Sequence, residues 1–321
     1  MSESQGSSAR VTVAVGLIVQ EGKALIAWRD AKRHQGNRYE FAGGKVDAGE
    51  TAHEALVREL HEELGITVTQ SRFLHALHHR YVDKHVCLQV FYVDAFEGEP
   101  VGREGQPLRW VPVEDLALLT FPDANAPIVR AAQLPCHYIV TPNLAKQADV
   151  SAWLTHIIAS AVEYAWVYVR LPDQSYEQQC ELIHALHHAR PDLRLMVSAQ
   201  LQSAQLPVWG YHLRQTELMA LQTLNRTDAM QYWFAACHDA TALAHAAALG
   251  VDAMVVGAIH ATPTHPHQVG MGWDGLADLL ASRERPVYAL GGVAPQDLAT
   301  AQAAGAWGVA GIRAFLTTNG V

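Results

Sequence analysis

Two rhythms of apolar residues divide the chain. In the first third, apolar and β-branched runs at Val11–Val19 and Ala24–Trp28 read as strands, with Glu21-Gly22 between them as a hairpin turn. A glycine-rich turn at Gly43-Gly44 leads into Thr51–Leu64, where apolar residues recur at helical spacing until Gly65 stops them. Phe73–His79 and Val86–Phe96 read as two further strands. The turn-rich stretch EGEPVGREGQP then opens into Leu108–Val113.

After Ala124–Leu134 the rhythm changes. Short apolar runs now alternate with helical patterns. The expected strands are Tyr138–Val140, Trp166–Arg170, Arg194–Val197, Gly210–Leu213, Tyr232–Ala235, Ala253–Val256, Val287–Leu290 and Gly308–Ile312. The helices between them include Ser151–Tyr164, Tyr176–Ala189, Ala240–Leu249, Trp273–Ala281 and Pro295–Ala304. Such alternation means parallel strands joined by crossover helices, and eight strands suggest a (β/α)8 TIM-type barrel. The expected domains are residues 1–134 and 135–321, in keeping with about 150 residues per domain.

Half of the residues are hydrophobic and 17% are charged, which supports packed cores and excludes a mainly disordered chain. Lys+Arg 23 against Asp+Glu 32 gives −9, which argues against nucleic acid or an anionic membrane as the main partner. A phosphate-bearing ligand would have to be held by local cations or a metal. The segment MSESQGSSAR lacks the apolar core of a signal peptide, and Ile157–Val169, broken by Glu163, is too short to span a membrane. A cytoplasmic location is expected. Cys87, Cys136, Cys180 and Cys237 stand far apart and indicate neither a zinc knuckle nor a disulfide scaffold. The oligomeric state is left open.

The candidate chemistry is concentrated in GKVDAGETAHEALVRELHEELGI, residues Gly44–Ile66. Glu59, Glu62 and Glu63 fall at i, i+3 and i+4, so a helix sets them on one face within a turn. A bare ExxEE is ordinarily a solvated acidic face. Here the three charges repel one another, and a hard divalent cation such as Mg²⁺ or Mn²⁺ would offset that. Gly43-Gly44 lets the backbone turn tightly, so that Gly43 can direct a carbonyl to the same ion. Leu56, Leu60 and Leu64 form a separate stripe that docks the helix on a core. The full string fits G-x5-E-x7-R-E-U-x-E-E-x-G-U (U apolar) through Gly44, Glu50, Arg58, Glu59, Leu60, Glu62, Glu63, Gly65 and Ile66.

That pattern is the Nudix box, and residues Val11–Leu134 resemble the MutT-type Nudix hydrolases, which sanitise oxidised guanine nucleotides such as 8-oxo-dGTP. The matching segments include YEFAGGKVDAGET, EGEPVGREGQPLRWVPVEDL and FPDANAPIV. The resemblance implies an α/β/α sandwich with a mixed sheet and a small nucleotide as substrate. Water attack on the β-phosphorus would give a nucleoside monophosphate and pyrophosphate. It implies Glu59, Glu62 and Glu63 as catalytic metal ligands, Arg58 as the residue that orients them, and Glu104 as the glutamate that completes the metal site. Asn125 would read the oxidised purine, and Arg29 matches a phosphate-contacting arginine. Lys84 stands near the substrate where arginine also occurs, and Lys lacks the bidentate fork. Ala42 replaces the proline that usually precedes the paired glycines.

Residues His137–Val321 resemble the thiamin phosphate synthase superfamily, including its thiazole tautomerase branch, through HYIVTPN, GYHL, ACHDATALAHAAALGVDAMVVGAIHATPT and RPVYALGGVAPQDLATAQAAGAWGVAGI. The family's Q-x-R-x-K is Tyr168, Arg170 and Pro172 here, its Asn-Asp pair is Ser198-Ala199, its second acid is Glu217, and a lysine is replaced by His265. His238 matches a histidine of the tautomerase branch. Gly291, Gly292 and Gly311 fall in the loops where such barrels bind phosphate. A phosphate-binding barrel without synthase activity is expected.

His184, His187 and His188 read as a solvated helix face, while His75, His78, His79 and His85 flank the expected nucleotide cleft, where strand packing and a base-stacking or phosphate role are both open. Two further readings remain. The barrel could carry the main role, as a thiamin-pathway enzyme or ligand sensor, with the first domain acting on a related pyrophosphate. A non-catalytic interaction protein is disfavoured by the intact box.

Overall fold

The computed structural model describes residues 10–32, 35–80, 85–145, 149–261, 269–281 and 283–316. The chain divides into two compact units, Met1–Leu134 and Pro135–Val321. No helix among the described residues is long and apolar enough to cross a membrane.

The first unit is built on a mixed sheet of seven strands: β1 (Arg10–Gln20), β2 (Lys23–Arg29), β3 (Arg38–Glu40), β4 (Gly43–Lys45), β5 (Thr67–Arg80), β6 (His85–Glu97) and β7 (Leu108–Pro112). The path runs β3-β2-β1-β6-β5, with β4 paired to β1 and β7 to β2. The parallel β1–β6 pair is central, and β5 folds back antiparallel on β6. Helix α1 (Ala52–Leu64) begins with a capping box, in which Glu54 N donates to the Thr51 hydroxyl at 3.2 Å and Thr51 N to the Glu54 carboxylate at 2.8 Å. Gly65 ends it in the left-handed conformation. Leu56, Leu60 and Leu64 are fully buried against Ala14, Ile18, Phe91 and Val93 of the sheet. The apolar stripe thus fixes the helix, and the carboxylates follow from it.

β3 and β4 correct the sequence reading, which treats Gly43-Gly44 as a turn. Gly43–Lys45 pairs with Val13–Val15 of β1. Tertiary pairing makes this a strand where propensity favours a turn. A Cβ on Gly43 would lie 2.1 Å from the Ala14 carbonyl oxygen, so the pairing needs glycine there. A short helix, α2 (Ala126–Ala132), closes the unit.

In the second unit eight parallel strands close a barrel: β8 (His137–Val140), β9 (Trp166–Val169), β10 (Arg194–Ser198), β11 (Gly210–Leu213), β12 (Tyr232–Cys237), β13 (Ala253–Gly257), β14 (Val287–Leu290) and β15 (Gly308–Gly311). Helices α3 (Val150–Ser160), α4 (Tyr176–Ala189), α5 (Gln215–Ala220), α6 (Ala240–Leu249), α7 (Gly272–Leu280) and α8 (Leu298–Ala303) occur between them. Only α5, a short piece, has no counterpart in the sequence reading. Strand residues alternate as a barrel requires: Ile139, Val167, Val197 and Val256 pack with the helices, while Tyr138, Tyr168, Phe234 and Tyr288 turn inward. Tyr138 meets Phe234 and Tyr288 at 4.9 and 5.6 Å, and Tyr168 stacks on His212 at 4.2 Å. His212 lies 3.2 Å through Nδ1 from the Tyr138 hydroxyl, and burial pushes its pKa down to about 3, so the imidazole is neutral. This interior is a filled core.

Candidate active site

Arg58 organises the acidic helix. Its Nε and Nη2 each donate to Glu50 at 2.9 Å, a bidentate pair, and Nη2 also donates to the Lys45 carbonyl at 3.0 Å. Nη1 donates to Glu59 at 2.8 Å and to Glu62 at 3.4 Å. One guanidinium therefore joins β4, the following loop and two box carboxylates. The Arg58 bonds, with the Asp47 N–H, hold the Glu50 carboxyl below its ordinary range. Glu59 lies over Gly44, where a Cβ would come within 2.1 Å of its carboxyl carbon.

Glu63 turns the other way and accepts from the Gly43 N–H at 3.2 Å. The sequence points to the Gly43 carbonyl; the contact formed is through the amide. Burial pushes the Glu63 carboxyl up to about 7, against the pull of that N–H, and the charges of Glu104, Glu40 and Glu59 add to the rise. Glu63 and Glu104 line one cleft of about 120 Å³ with Trp28, Glu40 and Gln106. Neither Glu59, Glu62, Arg29 nor Asn125 is among its lining residues.

Arg29, at the end of β2, forms an ion pair with Glu40, the last residue of β3. Glu40 is not singled out in the sequence reading; its only signal there is a place three residues before the paired glycines. Asn125 is buried, at 9% exposure, in a single 3-10 turn before α2 and makes no capping hydrogen bond with its side chain. The turn is anchored to the β2–β3 hairpin: Asp123 N donates to Gln35 at 3.1 Å, Gln35 donates to the Asp123 carboxylate at 3.0 Å, and Tyr39 N donates to Thr120 at 2.9 Å. Phe121 stacks on Phe41 at 5.3 Å. Lys84 lies outside the described residues.

Among the described residues, no group of three or more His, Cys, Asp or Glu side chains is already placed to hold a metal ion. The sequence reading gathers Glu59, Glu62, Glu63 and Glu104 as one set. Here Glu59 and Glu62 lean to Arg58, and Glu63 to Gly43, because these are the positive partners at hand. The donor chemistry nevertheless fits a hard divalent cation: all are carboxylate oxygens, and Glu63 is partly desolvated among three like charges.

In the barrel, the second acid is committed elsewhere. Glu217 pairs with Arg214 at 2.7 Å and accepts from the Arg214 N–H at 2.8 Å. Arg170 is exposed after β9, and its N–H donates to the Thr141 hydroxyl at 2.9 Å. Ser198 ends β10 and Ala199 opens the turn after it. His238, following β12, is 2.9 Å from the Gly257 carbonyl through Nδ1. His265 lies outside the described residues. The glycines have structural neighbours that the sequence does not reveal. A Cβ on Gly291 would be 2.8 Å from Ala258, and one on Gly292 would be 2.7 Å from His260. Gly311 is buried, and the Phe315 ring lies 2.3 Å from where its Cβ would be. All three positions are closely packed, and Gly291 and Gly292 also have positive φ. His184 and His188 are exposed on α4, and His75 is buried on β5.

The NUDIX domain family pattern matches residues 9–132, and the thiamine monophosphate synthase pattern matches residues 137–315. An 8-oxo-dGTP diphosphatase of Escherichia coli (strain K12) is 40% identical over 121 residues, 37% of this chain and 94% of that protein. One from Haemophilus influenzae is 38% identical over 121 residues, 37% of this chain and 89% of that protein. A CTP pyrophosphohydrolase of Escherichia coli (strain K12) is 37% identical over 122 residues, 38% of this chain and 90% of that protein.

Proposed function

The chain belongs to the NUDIX family in its first unit and to the thiamine monophosphate synthase family in its second, and from that premise we propose that it hydrolyses 8-oxo-dGTP to 8-oxo-dGMP and pyrophosphate. The observation that carries this reading is the Arg58-centred arrangement of box carboxylates beside the Glu63–Glu104 cleft.

Glu59, Glu62, Glu63 and Glu104 would hold a divalent cation, with Mg²⁺ the expected ion. Bound there, the ion would neutralise phosphate charge and lower the pKa of water. Arg58 fixes the carboxylates of Glu59 and Glu62. A box carboxylate accepts the water proton as the water oxygen bonds to the β-phosphorus. The bond from that phosphorus to the α–β bridging oxygen breaks, and the oxygen leaves with the monophosphate. Arg29, held by Glu40, meets the phosphates. Asn125 donates to and accepts from the purine edge with an amide that the local turn leaves uncapped. Lys84 is proposed as a further substrate contact.

The names of the relatives support a nucleotide substrate, and two of the three specify the oxidised guanine. Hydrolysis in water enriched in the heavy oxygen isotope tests the chemistry. The label should enter pyrophosphate; label in the monophosphate would place attack on the α-phosphorus and contradict the proposed step.

For the barrel we propose ligand binding without synthase turnover. Expelling pyrophosphate calls for carboxylate-held Mg²⁺. Ser198 and Ala199 supply no carboxylate, and Glu217 is engaged by Arg214. Binding through Gly291, Gly292 or Gly311 would have to use backbone amides beside the packing contacts those residues make.

A further inference from the structure

The carbonyls at the end of α1 need partners from outside the helix, and the loop Val101–Gln106 supplies them. Val101 N donates to the Leu64 carbonyl at 2.9 Å. Arg103 N donates to the Glu63 carbonyl at 2.9 Å, and the Arg103 guanidinium to the His61 carbonyl at 3.1 Å. Within the loop, Gly105 N donates to the Gly102 carbonyl at 3.0 Å, closing a four-residue turn that carries Glu104. That turn fixes the shape of the Glu104 backbone. It does not by itself fix where the turn lies along the helix.

Within the turn the Arg103 N–H reaches the Glu63 carbonyl, and Gln106 adds a side-chain tie from that same carbonyl to Glu104 itself. Its Nε2 donates to the Glu63 carbonyl at 3.0 Å, and its Oε1 accepts from the Glu104 N–H at 2.9 Å. A single amide thus joins the main chain of one candidate ligand to that of the other. Glu104 itself is exposed, so packing does little to hold it. Glutamine suits the position because it offers a donor and an acceptor at once. A carboxylate there would turn an oxygen toward the Glu63 carbonyl and add charge to an acidic cleft.

We propose that Gln106 is a positioning residue that holds Glu104 in register with Glu63 for divalent-cation binding. The proposal rests on the hydrolase reading above. It extends that reading to a side chain that touches neither phosphate nor metal and acts through Glu104.

Mn²⁺ titration of the full chain without nucleotide, followed through the magnetic resonance signal of the free ion, tests it. Gln106→Met keeps the side-chain length and removes both hydrogen bonds. It should weaken Mn²⁺ binding about tenfold, the lower end for loss of a group that orients a ligand, with a melting temperature close to wild type. Glu104→Gln should also weaken binding. In the Glu104→Gln background, Gln106→Met should add almost nothing, because the partner it acts through is already lost. The shorter Gln106→Asn gives the same comparison should Gln106→Met not fold.

Wild-type Mn²⁺ affinity in a folded Gln106 variant would overturn the proposal. So would an equal loss in both backgrounds, which would mark Gln106 as a general structural residue. Either result leaves wild-type hydrolysis of 8-oxo-dGTP untouched. Absence of metal-supported hydrolysis by the wild type would instead refute the hydrolase reading, and the proposal with it.

Discussion

A methyl group added at Gly44 strikes the Glu59 carboxylate. An ideally placed Cβ lies 2.1 Å from Cδ and 2.2 and 2.3 Å from the two oxygens of Glu59. Ordinary carbon contacts are about 3.5–4.0 Å, so the carboxylate must retreat by more than about 1 Å. Gly44 is not among the glycines with positive φ, which frees alanine of backbone strain there and leaves the collision as the main effect. The side chain that has to give way is held by Arg58 at 2.8 Å, in a pair whose members are 30% and 16% exposed. Losing such a pair costs about 1 kcal/mol or less after solvent screening. Gly44→Ala should therefore fold with a nearly normal melting temperature. A misplacement of about 1 Å is worth about 10²-fold in rate, or about 2.7 kcal/mol at 1.36 kcal/mol per decade. The assay is steady-state kcat/KM for 8-oxo-dGTP with saturating Mg²⁺, run beside thermal melting. A variant that melts normally and turns over at the wild-type rate would refute the placement of Glu59 in the reaction. Loss of rate together with loss of fold would refute the claim that the collision is local.

Glu62→Gln and Glu63→Gln should each keep the fold and lower Mg²⁺-dependent turnover by about 10³-fold, since several kcal/mol of charge stabilisation depend on the ion they would hold; near-normal kcat in either removes that residue from the metal set. Asn125→Ala should narrow the preference for 8-oxo-dGTP over dGTP, by about 1–3 kcal/mol per base-edge hydrogen bond lost, and an unchanged ratio of kcat/KM values would leave Asn125 as a turn residue only. The full chain, given the pyrimidine pyrophosphate and the thiazole phosphate with Mg²⁺, should form no thiamin phosphate by chromatography. Clear turnover would show that the missing carboxylates are dispensable and make the barrel a second enzyme.

Much of this architecture is legible in the sequence because its cause is local or periodic. The eight barrel strands are short apolar runs between helical patterns, and all eight occur where the alternation places them. α1 announces itself through Thr51, the leucine stripe and Gly65, all of which act within or just beyond a single helix. β4 is hidden, because Gly43-Gly44-Lys45 has no strand character and pairs only because β1 lies beside it. The candidate site divides in the same way. The order Arg58-Glu59-x-x-Glu62-Glu63 fixes which carboxylates share a face, yet not that Glu59 and Glu62 bond to Arg58 while Glu63 bonds to the Gly43 N–H. Glu40 and Gln106 matter through partners 11 and 43 residues away, a relation that a linear reading cannot reach. Gly311 has a neighbour that is likewise hidden from a linear reading, since the Phe315 ring lies 2.3 Å from where its Cβ would be.

The most direct test of the account is the ratio of kcat/KM for 8-oxo-dGTP to that for dGTP, measured on the full chain with Mg²⁺ and with CTP as a third substrate. The Asn125 reading and the names of two relatives lead to hydrolysis of all accepted nucleotides to monophosphate and pyrophosphate, with 8-oxo-dGTP preferred by at least about tenfold, the worth of one hydrogen bond at 1.4 kcal/mol. Equal rates on 8-oxo-dGTP and dGTP, or a preference for CTP, would contradict the assignment of the oxidised purine as substrate.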